Sequence, residues 1–302
     1  MRLLLQFPEG LKKEALKYAE KYEQEGHQVF LSGSSCYGAC DLALEEARAV
    51  NADKIIHFGH ARFVRAKIPI EVEYVEWRID VDLDNFEKAA KQLDFRSVAL
   101  ATTVQHIHQL GEMKKILERT GREVHTSKGT LAAYEGQVLG CDAGAVHNAA
   151  GKADAIVFVG DGNFHALAID IDKPVFVIQP KSGQIRQIND DIIKLRKRRK
   201  GAVLAAVDAK TFGILVSTKI GQSNLPLAEK IEKELVALGK RAEILVSNEI
   251  SASALNNFMS FECYVVTACP RLADDRETFG RPVLNPGMYA EFMRIMKGMK
   301  AR

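Results

Sequence analysis

The same order of elements occurs three times along this chain, and that internal repeat constrains the fold more than any other feature of the sequence. Each copy opens on a short apolar strand: Leu3 to Phe7, Val98 to Thr102, and Gly213 to Ser217. A helix follows, with apolar residues at helical spacing: Leu11, Ala15, Leu16 and Ala19; then Leu110, Met113, Ile116 and Leu117; then Leu227, Ile231, Leu235 and Leu238. Each helix stops at a glycine, namely Gly26, Gly121 or Gly239, the residue that most readily takes the left-handed conformation past a last helical turn. A second strand comes next (His27 to Leu31, Arg122 to Thr126, Arg241 to Val246), then an irregular loop, a second helix and a third strand rich in β-formers. Those third strands are Lys54 to Phe58, Ala155 to Val159 and Cys263 to Thr267. Fourth strands are expected at Ile70 to Val75, Val175 to Ile178 and near Pro282 to Leu284.

Strands that alternate with helices in this way predict right-handed βαβ units, hence small parallel sheets covered on both faces. The expected fold is α/β: three Rossmann-like parallel-sheet βαβ domains in a pseudo-three-fold arrangement. Their expected boundaries are residues 1–95, 96–205 and 206–302. The second domain includes a connecting helix within Ser182 to Lys210, which carries the run Arg196-Lys197-Arg198-Arg199-Lys200. A solvated linker face explains such a run; a docking face for an acidic partner protein is the alternative.

Charge and composition narrow the classes of function. Among 302 residues, 42 Lys and Arg against 39 Asp and Glu give a formal charge of +3, too near balance for a protein whose main partner is nucleic acid or an anionic membrane. With 47% hydrophobic and 27% charged residues, the chain matches ordinary globular proteins and not disordered, collagenous or coiled-coil ones. Its apolar runs fall short of the ~20 residues of a spanning helix. The leucines at Leu3 to Leu5 are too few for a secretory signal, so a cytoplasmic location is expected. Five scattered cysteines, Cys36, Cys40, Cys141, Cys263 and Cys269, do not make a disulfide framework, and reduced thiols are expected.

In open parallel sheets, ligands bind beyond the carboxyl ends of the strands. The loops so placed include Ser32 to Cys40, the stretch ending at Gly140-Cys141, Gly59-His60, Gly160-Asp161-Gly162, Lys219 to Gln222, and Ala268-Cys269-Pro270. One cysteine per repeat lies in this class of loop. Cys40 and Cys141 are expected at the start of the second helix of their units, where the helix dipole favours a thiolate. If the three units face inward around a common axis, three thiolates meet at one point. Such a set suits an iron–sulfur cluster or zinc far better than magnesium or calcium, and in a four-iron cluster it leaves one iron without a protein ligand. Cys263 begins an apolar strand and reads as core. Cys36, four residues before Cys40, is ambiguous: a pair with Cys40 is open, yet no Cys-x-x-Cys supports a zinc knuckle. His106 and His108 read as polar loop residues, whereas His57, His60 and His165 sit near the expected cleft and suit binding or proton transfer. No nucleotide-binding glycine motif, Walker motif or nucleophile elbow is present.

At these loops the chain resembles the archaeal Dph2 family of diphthamide synthases, also called 2-(3-amino-3-carboxypropyl)histidine synthases. The resemblance rests on Gln6-Phe7-Pro8-Glu9-Gly10, Tyr37-Gly38-Ala39-Cys40, His57-Phe58-Gly59-His60, Gly136 to Cys141, Val159-Gly160-Asp161-Gly162 with Phe164-His165, Ser217-Thr218-Lys219 with Gly221-Gln222, and Thr267 to Arg271. It implies an iron–sulfur, S-adenosylmethionine-dependent transferase in which Cys40, Cys141 and Cys269 each ligate one [4Fe-4S] cluster. It implies reductive cleavage of S-adenosylmethionine and transfer of its 3-amino-3-carboxypropyl group to imidazole C2 of a histidine in translation elongation factor 2. An outside electron donor, a homodimer and no role for a membrane or nucleic acid are also implied. Gly59, His60, Gly160, Asp161, Gly162, His165, Lys219, Gln222 and Arg271 are the candidates for holding the sulfonium co-substrate. The rival with the same three-unit, three-cysteine plan is a [4Fe-4S] dehydratase of the quinolinate synthase kind, in which the open iron acts as a Lewis acid. A non-catalytic ligand-binding scaffold with inert cysteines is the second rival.

Overall fold

The computed structural model describes residues 1–63, 67–274 and 279–300, and the chain divides into two compact units, Met1–Ile192 and Ile193–Arg302. The first unit holds two sheets and the second holds one, and each sheet is built on one of the repeats. In the first sheet β1 (Arg2–Gln6), β2 (Gln28–Leu31), β3 (Lys54–Phe58) and β4 (Glu71–Val75) run in the order β2-β1-β3-β4, all parallel. The second contains β5 (Ser97–Thr102), β6 (Glu123–His125), β7 (Ala155–Val159), β8 (Val175–Ile178) and β9 (Ile185–Gln187) in the order β6-β5-β7-β8-β9. The third, in the second unit, contains β10 (Thr211–Ser217), β11 (Arg241–Ser247), β12 (Cys263–Val266) and β13 (Val283–Leu284) in the order β11-β10-β12-β13. The expected α/β class with three Rossmann-like sheets is therefore present. Among the described residues one strand departs from the parallel pattern: β9 pairs antiparallel with β8, as an edge strand reached by a tight turn can.

Alternation along the strands sends side chains to both faces, and helices cover both. In the first sheet Leu3, Leu5, Ile56 and Phe58 pack with Ala15, Tyr18 and Ala19 of the first helical segment, a 3-10 turn at Glu9–Glu14 that continues as α1 (Ala15–Gln24). Leu4 and Ile55 face the other way, toward Ala47 of α2 (Leu44–Ala49). In the second sheet Val98, Leu100, Val157 and Val159 meet α3 (Leu83–Gln92) and α4 (Leu110–Arg119), while Ala99, Ala101, Ile156 and Phe158 meet α5 (Gly144–Ala150). Helix α6 (Asn189–Val207) leads out of the first unit, and its Ala202, Val203 and Ala206 belong to the core of the third sheet. That core is closed by α7 (Leu225–Ala237) and the C-terminal helix Pro286–Lys300, whose Phe292 ring lies 5.7 Å from that of Phe212.

The three predicted stop glycines all adopt positive φ: 85° at Gly26, 85° at Gly121 and 78° at Gly239, a region costly for any residue with a Cβ. Among the described residues no helix is long and apolar enough to cross a membrane. The basic run is not uniformly solvated: Arg199 donates from Nε and Nη2 to Asp274 at 2.8 and 3.0 Å, while Lys197, Arg198 and Lys200 are exposed.

Ile214 of β10 is fully buried and Val236 of α7 is 57% exposed. Ile214→Ala is expected to lower unfolding stability by about 2–5 kcal/mol in urea titrations, and Val236→Ala to stay within about 0.5 kcal/mol of the parent.

Candidate functional site

Within the first unit the carboxyl ends of β1 and β3 converge on one buried polar side chain, Gln6. Its Nε2 donates to the Asp41 carbonyl at 2.7 Å, and its Oε1 accepts from the Ala43 N–H at 3.2 Å and from Nδ1 of His57 at 2.8 Å. These partners fix the amide orientation, since only the oxygen can accept two donors, and they place the proton of His57 on Nδ1. Nε2 of His57 is then an acceptor, and it faces Nδ1 of His60 at 3.0 Å. The sulfur of Cys36, which is 4% exposed, adjoins them; ligand atoms of Cys36, His57 and His60 all lie within 4.8 Å of one another. Burial is the main reason both imidazoles resist protonation. The pKa of His57 falls to about 3, with the neighbouring His60 adding to the effect, and that of His60 falls to about 4, with His165 adding and the Phe58 carbonyl opposing.

Cys40 lies one residue before Asp41, in a turn closed by the Asp41 N–H on the Gly38 carbonyl at 3.0 Å, and it is part-buried. Cys141 is exposed, in the loop that joins β6 to α5. The expectation that both thiols start a helix is corrected here. Helix α2 begins at Leu44 and α5 at Gly144, so each cysteine precedes its helix by a tight turn. The reason is local: the chain must turn at Asp41 and Asp142 before a helix can start. Asp142 organises that turn, accepting the Leu131 N–H at 2.6 Å and the Gly144 N–H at 2.7 Å. Phe164, 53% exposed, lies against Gly140, where an added Cβ would meet its ring at 2.2 Å. That packing brings the Gly160–His165 segment to the Cys141 loop. Gln105 Nε2 donates to the Gly59 carbonyl at 3.2 Å, so the loops of the first two sheets also touch.

In the second unit Cys269 follows β12 and precedes a 3-10 helix at Pro270–Asp274. Burial pushes its thiol pKa up, while the N–H groups and charge of Arg271 and the N–H of Leu272 oppose that rise. Here backbone N–H groups at a helix start favour the thiolate. Arg271 pairs with Asp274 at 3.0 Å, and the same carboxylate takes Arg199. Lys219 is 7% exposed and lies 3.6 Å from Glu249 across the carboxyl ends of β10 and β11. Gln222 caps the turn after β10, its N–H on the Lys219 carbonyl at 2.9 Å.

Other sequence expectations divide cleanly. Cys263 is fully buried in β12 and burial raises its pKa strongly, so it is core. His106 bonds the Ile79 carbonyl at 2.7 Å and His108 pairs with Asp80 at 2.8 Å, as loop residues do. Sequence reasoning missed Gln6, Asp41 and Asp142. The signal for Gln6 was present: it is the one polar residue in the run Leu3 to Phe7.

Residues 7–297 match the model of the diphthamide synthesis protein family. The 2-(3-amino-3-carboxypropyl)histidine synthase of Pyrococcus horikoshii is 37% identical over 294 residues, covering 94% of this chain and 83% of its own. The synthase of Methanocaldococcus jannaschii is 30% identical over 315 residues, covering 97% of this chain and 84% of its own. Among solved structures, Dph2 from Pyrococcus horikoshii with a 4Fe-4S cluster has a TM-score of 0.87 at 35% identity, covering 97% of this chain and 86% of that one.

The buried imidazoles make a pH prediction. Unfolded, they bind protons near pH 6.5; folded, only near 3 and 4. In that interval the unfolded chain holds more protons, so stability is full above 6.5 and falls with pH. Urea midpoints followed by circular dichroism are expected to drop from pH 6.5 toward 4, and His57→Gln to flatten that dependence.

Proposed function

The chain belongs to the diphthamide synthesis family, and from that membership we propose that it catalyses the first step of diphthamide formation, transfer of the 3-amino-3-carboxypropyl group of S-adenosylmethionine to imidazole C2 of one histidine in translation elongation factor 2. It is an enzyme of the transferase class. The observation that carries the reading is likeness over nearly the whole chain to a Dph2 structure that holds a 4Fe-4S cluster.

The donor chemistry of this chain fits such a group. Cys40, Cys141 and Cys269 are thiols outside any disulfide, on loops beyond strand carboxyl ends, one from each repeat, and thiolates are the ligands iron–sulfur clusters take. Cys263, sealed in the core, does not qualify. In this reading Cys40, Cys141 and Cys269 hold one [4Fe-4S] cluster with an open iron, and when bound and reduced it supplies the electron that a sulfonium accepts only from a low-potential donor. The rest is positioning by this chain. Which carbon–sulfur bond breaks depends on which carbon the loops present, so the protein's task is to fix the co-substrate before the electron arrives. Gly59, Gly160, Asp161 and Gly162 suit the amino and carboxylate ends through their backbone, although the Gly59 and Gly160 N–H groups already bond the Val75 and Ile178 carbonyls. His60 and His165, close enough to affect one another's charge, suit the adenosine or a proton, and burial keeps His60 neutral at physiological pH. Lys219 is a cation paired with Glu249, while Arg271 shares the Asp274 carboxylate with Arg199, which leaves that group positive and suited to a carboxylate, and Gln222 completes that set.

The protein substrate is elongation factor 2, the electron comes from an outside reductase, the working form is a homodimer, and the setting is the cytoplasm. Anaerobic incubation with S-adenosylmethionine and dithionite is expected to release methylthioadenosine. Cys40→Ser, Cys141→Ser and Cys269→Ser should each lose most of that product and most iron, while Cys263→Ser keeps both. A wild-type protein that binds iron yet yields no methylthioadenosine or homocysteine-derived product would overturn the radical reading and favour a dehydratase.

A further inference from the structure

Beyond the three cysteines assigned above, the geometry points to a second, mononuclear metal site in the first unit, formed by Cys36, His57 and His60 and suited to zinc. Three kinds of observation converge on it. The ligand atoms are a thiol sulfur and two imidazole nitrogens, all within 4.8 Å of one another. Tetrahedral zinc, with bonds of about 2.3 Å to sulfur and about 2.0–2.1 Å to nitrogen, needs nitrogens roughly 3.3 Å apart and sulfur roughly 3.6 Å from each. The two nitrogens already stand 3.0 Å apart, so closure takes a shift on the order of 1 Å.

The orientation of His57 is the second observation. A metal-bound imidazole characteristically donates its other N–H to a fixed acceptor, which sets the tautomer and aims the lone pair. His57 Nδ1 does this to Gln6 Oε1 at 2.8 Å, and Gln6 is itself held by Asp41 and Ala43. The lone pair of His57 Nε2, which now accepts from His60 Nδ1, therefore already points into the group.

Sequence placement is the third. Cys36 lies in the loop after β2, four residues before Cys40, and the two histidines lie at the end of β3 and just past it. A metal here pins the loop that carries Cys40 to the strand beside it. The donor set of one thiolate and two imidazoles selects a borderline ion such as Zn²⁺ over calcium or magnesium, and three protein ligands leave a fourth position for water. Proton balance is simple. Binding Zn²⁺ releases the thiol proton of Cys36, and the proton now shared between His57 Nε2 and His60 Nδ1 passes to His60 Nε2, so one proton leaves per metal. Both imidazoles are neutral at physiological pH and need lose none.

The test is metal analysis of the full-length protein, purified anaerobically, loaded with iron and sulfide, equilibrated with Zn²⁺ and desalted. About one zinc per chain is expected, with a zinc-edge X-ray absorption signature of one sulfur and two nitrogen ligands. Cys36→Ser and His60→Ala should each lower zinc about tenfold with iron unchanged, and Cys40→Ser should lose iron but keep zinc. His60 is part-exposed, and circular dichroism of His60→Ala checks that the fold persists. Zinc retained in both Cys36→Ser and His60→Ala, zinc bound through oxygen only, or loss of iron together with zinc in Cys36→Ser would each overturn the separate site. Because zinc is read independently of iron and product, failure of the transferase reading leaves this outcome distinct.

Discussion

Parallel pairing of a central strand with a neighbour on each side is the constraint from which the rest of this structure follows. β1, β5 and β10 each hold that place, flanked by β2 and β3, by β6 and β7, and by β11 and β12. A parallel sheet cannot be closed by hairpins; every return runs through a crossover, and the crossover helices cover both faces. Side chains on the strands are then spent on packing, as Ile55, Ile56, Val157 and Val265 are, all at 1% exposure or less. Polar chemistry is left to the loops at the carboxyl ends. Every candidate functional residue of this chain lies at or beyond such an end.

Gln6 shows how that edge is wired. A neutral amide buried at 1% exposure in an otherwise apolar strand is tolerable only because all of its hydrogen-bonding capacity toward Asp41, Ala43 and His57 is used. One side chain thereby ties the loop bearing Cys36 and Cys40 to the strand bearing His57. Asp142 performs the equivalent service beside Cys141 through two backbone N–H groups. At Cys269 the neighbouring backbone and Arg271 act on the thiol itself, offsetting the cost of its burial. Three loops at strand carboxyl ends, two after second strands and one after a third, have thus reached three different local solutions, which fits repeats that share a framework and have diverged at their tips.

The framework was legible in the sequence because buried parallel strands read as unbroken apolar runs. Lys54 to Phe58, Ala155 to Val159 and Val175 to Ile178 match their strands residue for residue, and Cys263 was separable from the loop cysteines because it opens such a run. The helix ends at Gly26, Gly121 and Gly239 were legible for a conformational reason, positive φ. The short, mostly exposed β9 was not, since Ile185–Gln187 carries too little pattern to distinguish from loop. The helix starts near Cys40 and Cys141 were also misplaced, because Asp41 and Asp142 act through hydrogen bonds that spacing alone does not reveal. The loop motifs pointed to the carboxyl-end loops; the Gln6, His57, His60 and Cys36 constellation joins segments far apart in the chain and emerged only from the fold.

The proposed reaction modifies a histidine of a protein with a fragment of S-adenosylmethionine. Mass spectrometry tests it most directly: reduced, iron-loaded enzyme is incubated anaerobically with S-adenosylmethionine and elongation factor 2 from the same source, and the factor is digested. The account predicts one histidine-containing peptide heavier by one 3-amino-3-carboxypropyl group, with fragments placing the addition on the imidazole. A factor of unchanged mass, despite an intact cluster and consumption of S-adenosylmethionine, would contradict it.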